Sequence, residues 1–136
     1  MPITEIFPIN SDWSNADLAT IPCAYGTAEN MLHRAKCGLG DHVFVVGASG
    51  GVGSAAIQLA KRRGSYVTAF TTTSKSKSVK SIGADQVITR ENNMLSSLGE
   101  ESVDLVIDNV AGTNFSRMLK ILRRGGKYVS SGAIAG

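Results

Sequence analysis

The chain has 136 residues, 43% of them hydrophobic and 18% charged, with a net charge of +3; that bounds it to one domain with a single sizeable core. No apolar run approaches the ~18 residues of a membrane span, Met1 to Asn10 lack the regions of a secretory leader, and two cysteines, Cys23 and Cys37, make no disulfide framework, so a cytoplasmic setting is expected. The basic residues Lys61-Arg62-Arg63, Lys75, Lys77, Lys80 and Arg123-Arg124 sit at separate helix ends and not on one stripe, which argues against nucleic acid and suits an anionic cofactor.

Residues 1–15 read as an irregular N-terminal segment broken by Pro2 and Pro8. Ser14-Asn15 can cap a short helix over 16–21. After Pro22 a second helical pattern covers 24–36, with Ala28, Met31, Leu32 and Ala35 on one face and Gly38 and Gly40 beyond its end. From there strands and helices alternate. His42 to Val46 is a short apolar run of the kind a strand buried on both faces requires. Glycine-rich residues 47–53 lead into a helix reaching about Arg63. Tyr66 to Thr71 is the second strand, and Ser74 caps a helix running to Ile82 that Gly83 stops. Gln86 to Ile88 is a third strand, 92–99 a weak helix, and Val103 to Asp108 a fourth strand. Thr113 to Arg123 is a helix ended by Gly125-Gly126, and Lys127 to Ser131 a fifth strand. This alternation predicts an α/β fold over 16–136: a Rossmann-type parallel sheet with helices on both faces, at least five strands, order 3-2-1-4-5.

The most informative segment is Gly47-Ala48-Ser49-Gly50-Gly51-Val52-Gly53, which follows a buried strand and opens a helix. Glycines allow a sharp turn and a close backbone approach. The free N–H groups of the first helical turn can then bind a pyrophosphate, helped by the helix dipole. Ser49, Gly50, Gly51 and Val52 are the candidate pyrophosphate residues, and Gly53 suits close helix–strand packing. A tight turn without ligand is the alternative. Two rival motifs fail. A P-loop needs Gly-Lys-Ser/Thr, but Ser54-Ala55 follow Gly53. The short-chain dehydrogenase pair needs Lys four residues after Tyr, and Tyr25, Tyr66 and Tyr128 have Glu29, Phe70 and Gly132 there.

At the end of the second strand, Phe70-Thr71-Thr72-Thr73-Ser74-Lys75 contains no acid. A carboxylate ~20 residues after the glycines would accept the ribose 2′-hydroxyl of NAD; hydroxyls and an ammonium suit a 2′-phosphate. Thr72, Thr73, Ser74 and Lys75 therefore favour NADP(H) over NAD(H), unless they only cap and solvate the next helix. Asn109-Val110 after the fourth strand and Ser131-Gly132-Ala133 after the fifth are expected to edge the nicotinamide, because ligands of open α/β sheets lie beyond the carboxyl ends of strands.

These residues resemble the medium-chain dehydrogenase/reductase superfamily, the group of zinc alcohol dehydrogenases and quinone oxidoreductases, across roughly 16–136. Ile21-Pro22-Cys23-Ala24-Tyr25-Gly26-Thr27-Ala28 is similar to its segment entering the inter-domain helix. The glycine loop and Leu105-Val106-Ile107-Asp108-Asn109-Val110-Ala111-Gly112 with Gly125-Gly126-Lys127 are similar to its coenzyme strands. The resemblance implies a coenzyme domain of a longer oxidoreductase whose catalytic domain flanks it. It further implies no turnover by this segment alone, and homodimerisation of the intact enzyme beyond the fifth strand. It implies an alcohol, carbonyl, quinone or activated-alkene substrate. In the zinc branch it implies that Cys23 is a zinc ligand with partners outside this chain; as a small buried helix-start cysteine it would need none. Cys37 reads as structural, and His33 and His42 as surface or helix-end residues. Two other readings stay open: a non-catalytic dinucleotide-sensing module, and an enoyl-reductase segment of a multifunctional synthase.

Overall fold

In the computed structural model, residues 3–134 are described. The sheet is formed by β1 (His42–Val46), β2 (Tyr66–Thr71), β3 (Gln86–Thr89), β4 (Val103–Asp108) and β5 (Leu122–Ser130), all parallel in the order β3-β2-β1-β4-β5. The helices are α1 (Asn15–Arg34), α2 (Gly51–Arg62), α3 (Ser76–Ser81), α4 (Met94–Leu98) and α5 (Phe115–Ile121). No described helix is long and apolar enough to cross a membrane.

Side chains alternate across a strand, and here that alternation sorts the core into two layers. Val43, Val45, Val67, Ala69, Leu105 and Ile107 pack with Ala28, Met31 and Leu32 of α1 and Ala55, Ala56 and Ile57 of α2. Phe44, Val46, Phe70, Ile88 and Val106 pack instead with Met94 of α4 and Met118 and Ile121 of α5. Both faces of β1 are thus dry, which is why its sequence is a continuous apolar run.

Several boundaries differ from the sequence expectations. The two predicted helices at 16–21 and 24–36 are one. Ser14 caps it by accepting from Asp17 N at 3.1 Å, and Pro22 lies inside it. A helix-interior proline removes one hydrogen bond and crowds the preceding turn. Pro22 is exposed, so the orphaned carbonyl can meet water, and the anchoring stripe of Ala28, Met31 and Leu32 lies further along. Ser74 does not cap α3. It sits within a single 310 turn, Thr73–Lys75, and Lys75 precedes the helix. The weak helix over 92–99 shortens to Met94–Leu98, with Asn93 accepting from Leu95 N. The helix predicted for 113–123 spans only Phe115–Ile121 and ends before Gly125-Gly126. Beyond it Leu122 already pairs with Val103. The next pair is Leu105 with Lys127, five steps along β5 against two along β4. The surplus is a bulge in which Gly125 has φ +76, a backbone region that glycine enters without steric cost. The glycine pair is therefore a bulge, not a helix stop.

His42 also departs from the surface reading. It is half-buried on β1, with Nε2 2.8 Å from Thr68 Oγ1 and Nδ1 3.2 Å from the Ser102 carbonyl. His33 is exposed near the end of α1, and Cys37 is buried with Sγ 3.3 Å from Ser65 Oγ.

Candidate functional site

The strand ends fall in line. Val46 of β1 is level with Phe70 of β2 and Asp108 of β4, Thr71 is level with Thr89 of β3, and Asp108 with Ser130 of β5. Every predicted site residue except Cys23 follows one of these ends. At β1 the chain turns through Gly47 (φ +68) into α2. Gly50 N donates to Gly47 O at 3.0 Å and Ser54 N to Gly50 O at 2.9 Å. The amides of Gly51, Val52 and Gly53 belong to the first helical turn, where N–H groups have no intrahelical acceptor. Ser49, Gly50 and Gly51 are exposed and Val52 is half-buried. A Cβ on Gly51 would meet only Ala24 Cβ, at 3.6 Å. At Gly53 it would lie 2.2 Å from Gly47 O, so helix and strand approach there as only glycine permits.

The turn after β4 is built by a buried carboxylate. Asp108 is fully buried; its Oδ1 accepts from Val110 N at 2.8 Å and Ala111 N at 2.9 Å, and its Oδ2 accepts from Tyr128 OH at 2.5 Å. Burial, with Asp108 accepting its proton, pushes the Tyr128 phenol far above its usual range. The Tyr128 ring meets Phe115 edge-on at 5.0 Å. The clamp bends the chain so that Ala111 takes φ +58 and Val110 lies over the glycine turn: a Cβ on Gly47 would sit 2.9 Å from Val110 Cγ2. Asn109 and the loop after β5 meet as well, since Ser131 Oγ donates to Asn109 Oδ1 at 2.8 Å. Gly132 and Ala133 continue that exposed loop. Asn109 Nδ2 is buried with no partner among the described residues. A buried amide left unpaired is rare.

At the β2 end Thr72 is half-buried, while Thr73, Ser74 and Lys75 are exposed. Thr72 and Ser74 hydroxyls lie 3.2 Å apart. A cavity of about 250 Å³ lies at the ends of β1 and β2, lined by Val46, Phe70, Arg90, Met94, Val110 and Arg117, among others; Thr72, Thr73, Ser74 and Lys75 do not line it. Arg90 and Arg117 have no place in the sequence reading. The signal for Arg90 was available, because it follows the third strand as Thr72 follows the second. A wider, open groove of about 780 Å³ runs between the start of α1 and α2, past Trp13, Asp17, Tyr25 and Gln58.

Cys23 is exposed on α1, next in sequence to Ala24 at the glycine loop, which corrects the picture of a small buried cysteine. Among the described residues no three His, Cys, Asp or Glu side chains are grouped to hold a metal ion. A catalytic zinc needs three protein ligands, so these residues do not make a zinc centre on their own.

The family model for zinc-binding dehydrogenases matches residues 51–136. The chain is 33% identical over 132 residues to the acryloyl-coenzyme A reductase of Metallosphaera sedula, covering 97% of this chain and 40% of that protein. It is 35% identical over 130 residues to the chloroplastic NADPH-dependent alkenal/one oxidoreductase of Arabidopsis thaliana, covering 93% of this chain and 32% of the other. A crystal structure from Sinorhizobium meliloti 1021, provisionally named an alcohol dehydrogenase, superposes over 100% of this chain and 39% of its own, with TM-score 0.90 and 42% identity. The chain thus spans two fifths or less of the length of these relatives.

Proposed function

The chain belongs to the zinc-binding dehydrogenase family of the medium-chain dehydrogenase/reductase superfamily, whose coenzyme is a nicotinamide dinucleotide, and on that premise we propose that it is the NADP(H)-binding domain of an oxidoreductase reducing an activated alkene or carbonyl. The carrying observation is the turn Gly47–Gly53, whose first helical turn opens at the end of a buried strand with Ser49, Gly50 and Gly51 exposed. The amides of Gly51 and Val52 hold the pyrophosphate, flanked by Ser49 and Gly50. Thr72, Thr73, Ser74 and Lys75 face the adenosine ribose, and Arg90 adds a second cation beside the cavity at Phe70. Lys and Arg side chains carry only donors, which supports a 2′-phosphate and hence NADP(H). The NADPH-dependence stated for the Arabidopsis thaliana relative points the same way.

When bound, the nicotinamide supplies the hydride, and the protein's part is to place it. Val110 closes the floor over Gly47, Asn109 offers its unpaired amide, and the Ser131–Ala133 loop forms the far edge. The alkene-type substrate rests on the acryloyl-coenzyme A and alkenal/one relatives. Cys23 would be one ligand of a zinc set completed by other parts of the protein; no step here depends on it. Calorimetric titration tests the reading. NADPH binds this chain more tightly than NADH, and Gly51→Asp abolishes both by filling the anion position with a like charge. Equal affinity for the two coenzymes would refute the 2′-phosphate assignment, and unaltered binding by Gly51→Asp the pyrophosphate site.

A further inference from the structure

The absence of an acid along the end of β2 is only half of the ribose environment. β2 and β3 finish side by side: Thr71 pairs with Thr89, and Arg90 N donates to Thr71 O at 3.0 Å. The loops that follow therefore face one another. Across that gap Thr73 Oγ1 donates to Glu91 Oε2 at 3.0 Å. A carboxylate from the loop after the third strand thus stands on the hydroxyl loop after the second, the segment in which an acid would read the ribose 2′ position. Its hydrogen bonds, from its own backbone N–H and then from the Thr89 and Thr73 side chains, hold the Glu91 carboxyl below the usual range, so it is ionised.

The donor and acceptor inventory follows. A threonine hydroxyl has one proton, and that of Thr73 goes to Glu91; toward a ligand Thr73 offers lone pairs. Thr73 and Glu91 together are acceptors and suit a 2′-hydroxyl. Lys75 and Arg90 are donors and suit a 2′-phosphate. Arg90 is next to Glu91 in the chain and Lys75 two residues beyond Thr73, so the two sets share one pair of loops.

We propose that Glu91 is a specificity-determining residue for the coenzyme, lowering this chain's preference for a 2′-phosphate that Lys75 and Arg90 create. The proposal rests on the coenzyme reading above. Glu91 is exposed, so Glu91→Gln keeps its shape and size without disturbing the core. The probes are adenosine 2′,5′-bisphosphate and adenosine 5′-monophosphate, which differ only in the 2′-phosphate. Glu91→Gln should tighten the bisphosphate about fivefold while the monophosphate stays within about twofold, and the gain should shrink at high salt, as screening of exposed charges requires. Thr73→Val, which frees the carboxylate from its tether, should shift the ratio in the same direction by less. An unchanged ratio in Glu91→Gln, with both probes bound by the parent chain, overturns the proposal and leaves the coenzyme reading standing. A parent chain that binds neither probe overturns the coenzyme reading, and the proposal with it.

Discussion

Tyr128→Phe isolates one hydrogen bond on which the turn after β4 depends. The substitution keeps the ring against Phe115 and removes only the hydroxyl that donates to Asp108 Oδ2 at 2.5 Å. Asp108 is fully buried, so that oxygen loses its one donor among the described residues while Oδ1 keeps the amides of Val110 and Ala111. Removing one partner of a hydrogen bond and leaving the other buried and unsatisfied costs ~1–3 kcal/mol. The expected loss is therefore about 2 kcal/mol, or roughly 8 °C in Tm for a chain of this size. Urea denaturation of the parent, Tyr128→Phe and Asp108→Asn measures the losses. In Asp108→Asn the side-chain oxygen can still accept both amides and the new NH2 can donate to Tyr128, so its cost should be smaller than that of Tyr128→Phe. A Tyr128→Phe variant within ~0.5 kcal/mol of the parent would refute the clamp.

Gly53→Ala should destabilise the fold by ~3 kcal/mol or more, since its Cβ would meet backbone of Gly47 at 2.2 Å and no flexible side chain can yield; thermal melts check this, and a loss under ~1 kcal/mol would contradict the close approach. Asn109→Asp preserves an acceptor for Ser131 but replaces the unpaired donor by a second acceptor. It should weaken NADPH about tenfold or more and leave adenosine 2′,5′-bisphosphate unaffected, because that fragment lacks the nicotinamide half. Equal weakening of both ligands would place the effect elsewhere. Stability should fall in two steps as pH drops. Burial, opposed by the Ser102 carbonyl and by Asp104 and Asp85, depresses the His42 pKa, so the fold holds neutral imidazole. The unfolded chain takes up a proton first, and that contribution is lost as pH falls below about 6.5. Asp85 and Asp104 come next. Burial raises both, but Lys61 and Val67 N on Asp85, and His42 N and Arg123 on Asp104, outweigh it and leave both depressed; their contribution is present above about pH 3.9 and lost as pH falls through their folded values. Urea midpoints from pH 8 to 3 report both steps. His42→Gln should remove the upper one, and a flat profile between pH 7.5 and 5 would contradict it.

The strands were legible because their signal is local. β1 lies buried on both faces, so Val43–Val46 is an unbroken apolar run, while β2 and β4 are mostly apolar and bounded by turn residues, and the observed spans His42–Val46, Tyr66–Thr71 and Val103–Asp108 coincide with those read from the sequence. The sheet order followed from the alternation of elements and the handedness of crossovers. The glycine turn was legible because backbone geometry requires its residue types. Helix ends were less so. Pro22 is a strong local breaker, but packing of Ala28, Met31 and Leu32 carries one helix through it. Leu122 joined a strand because Val103 stood opposite, a partner 19 positions back in the chain. The candidate site divides in the same way. Sequence alone marked the glycine turn and each strand end, since position after a strand is a local property. Which ends touch was decided by the folded sheet. Asp108 meets Tyr128 across 20 residues, Asn109 meets Ser131 across 22, and Thr73 meets Glu91 across 18. A hydrogen bond acts over about 3 Å in space and is indifferent to separation along the chain, so only the parallel register that sets these strand ends abreast could bring the pairs together.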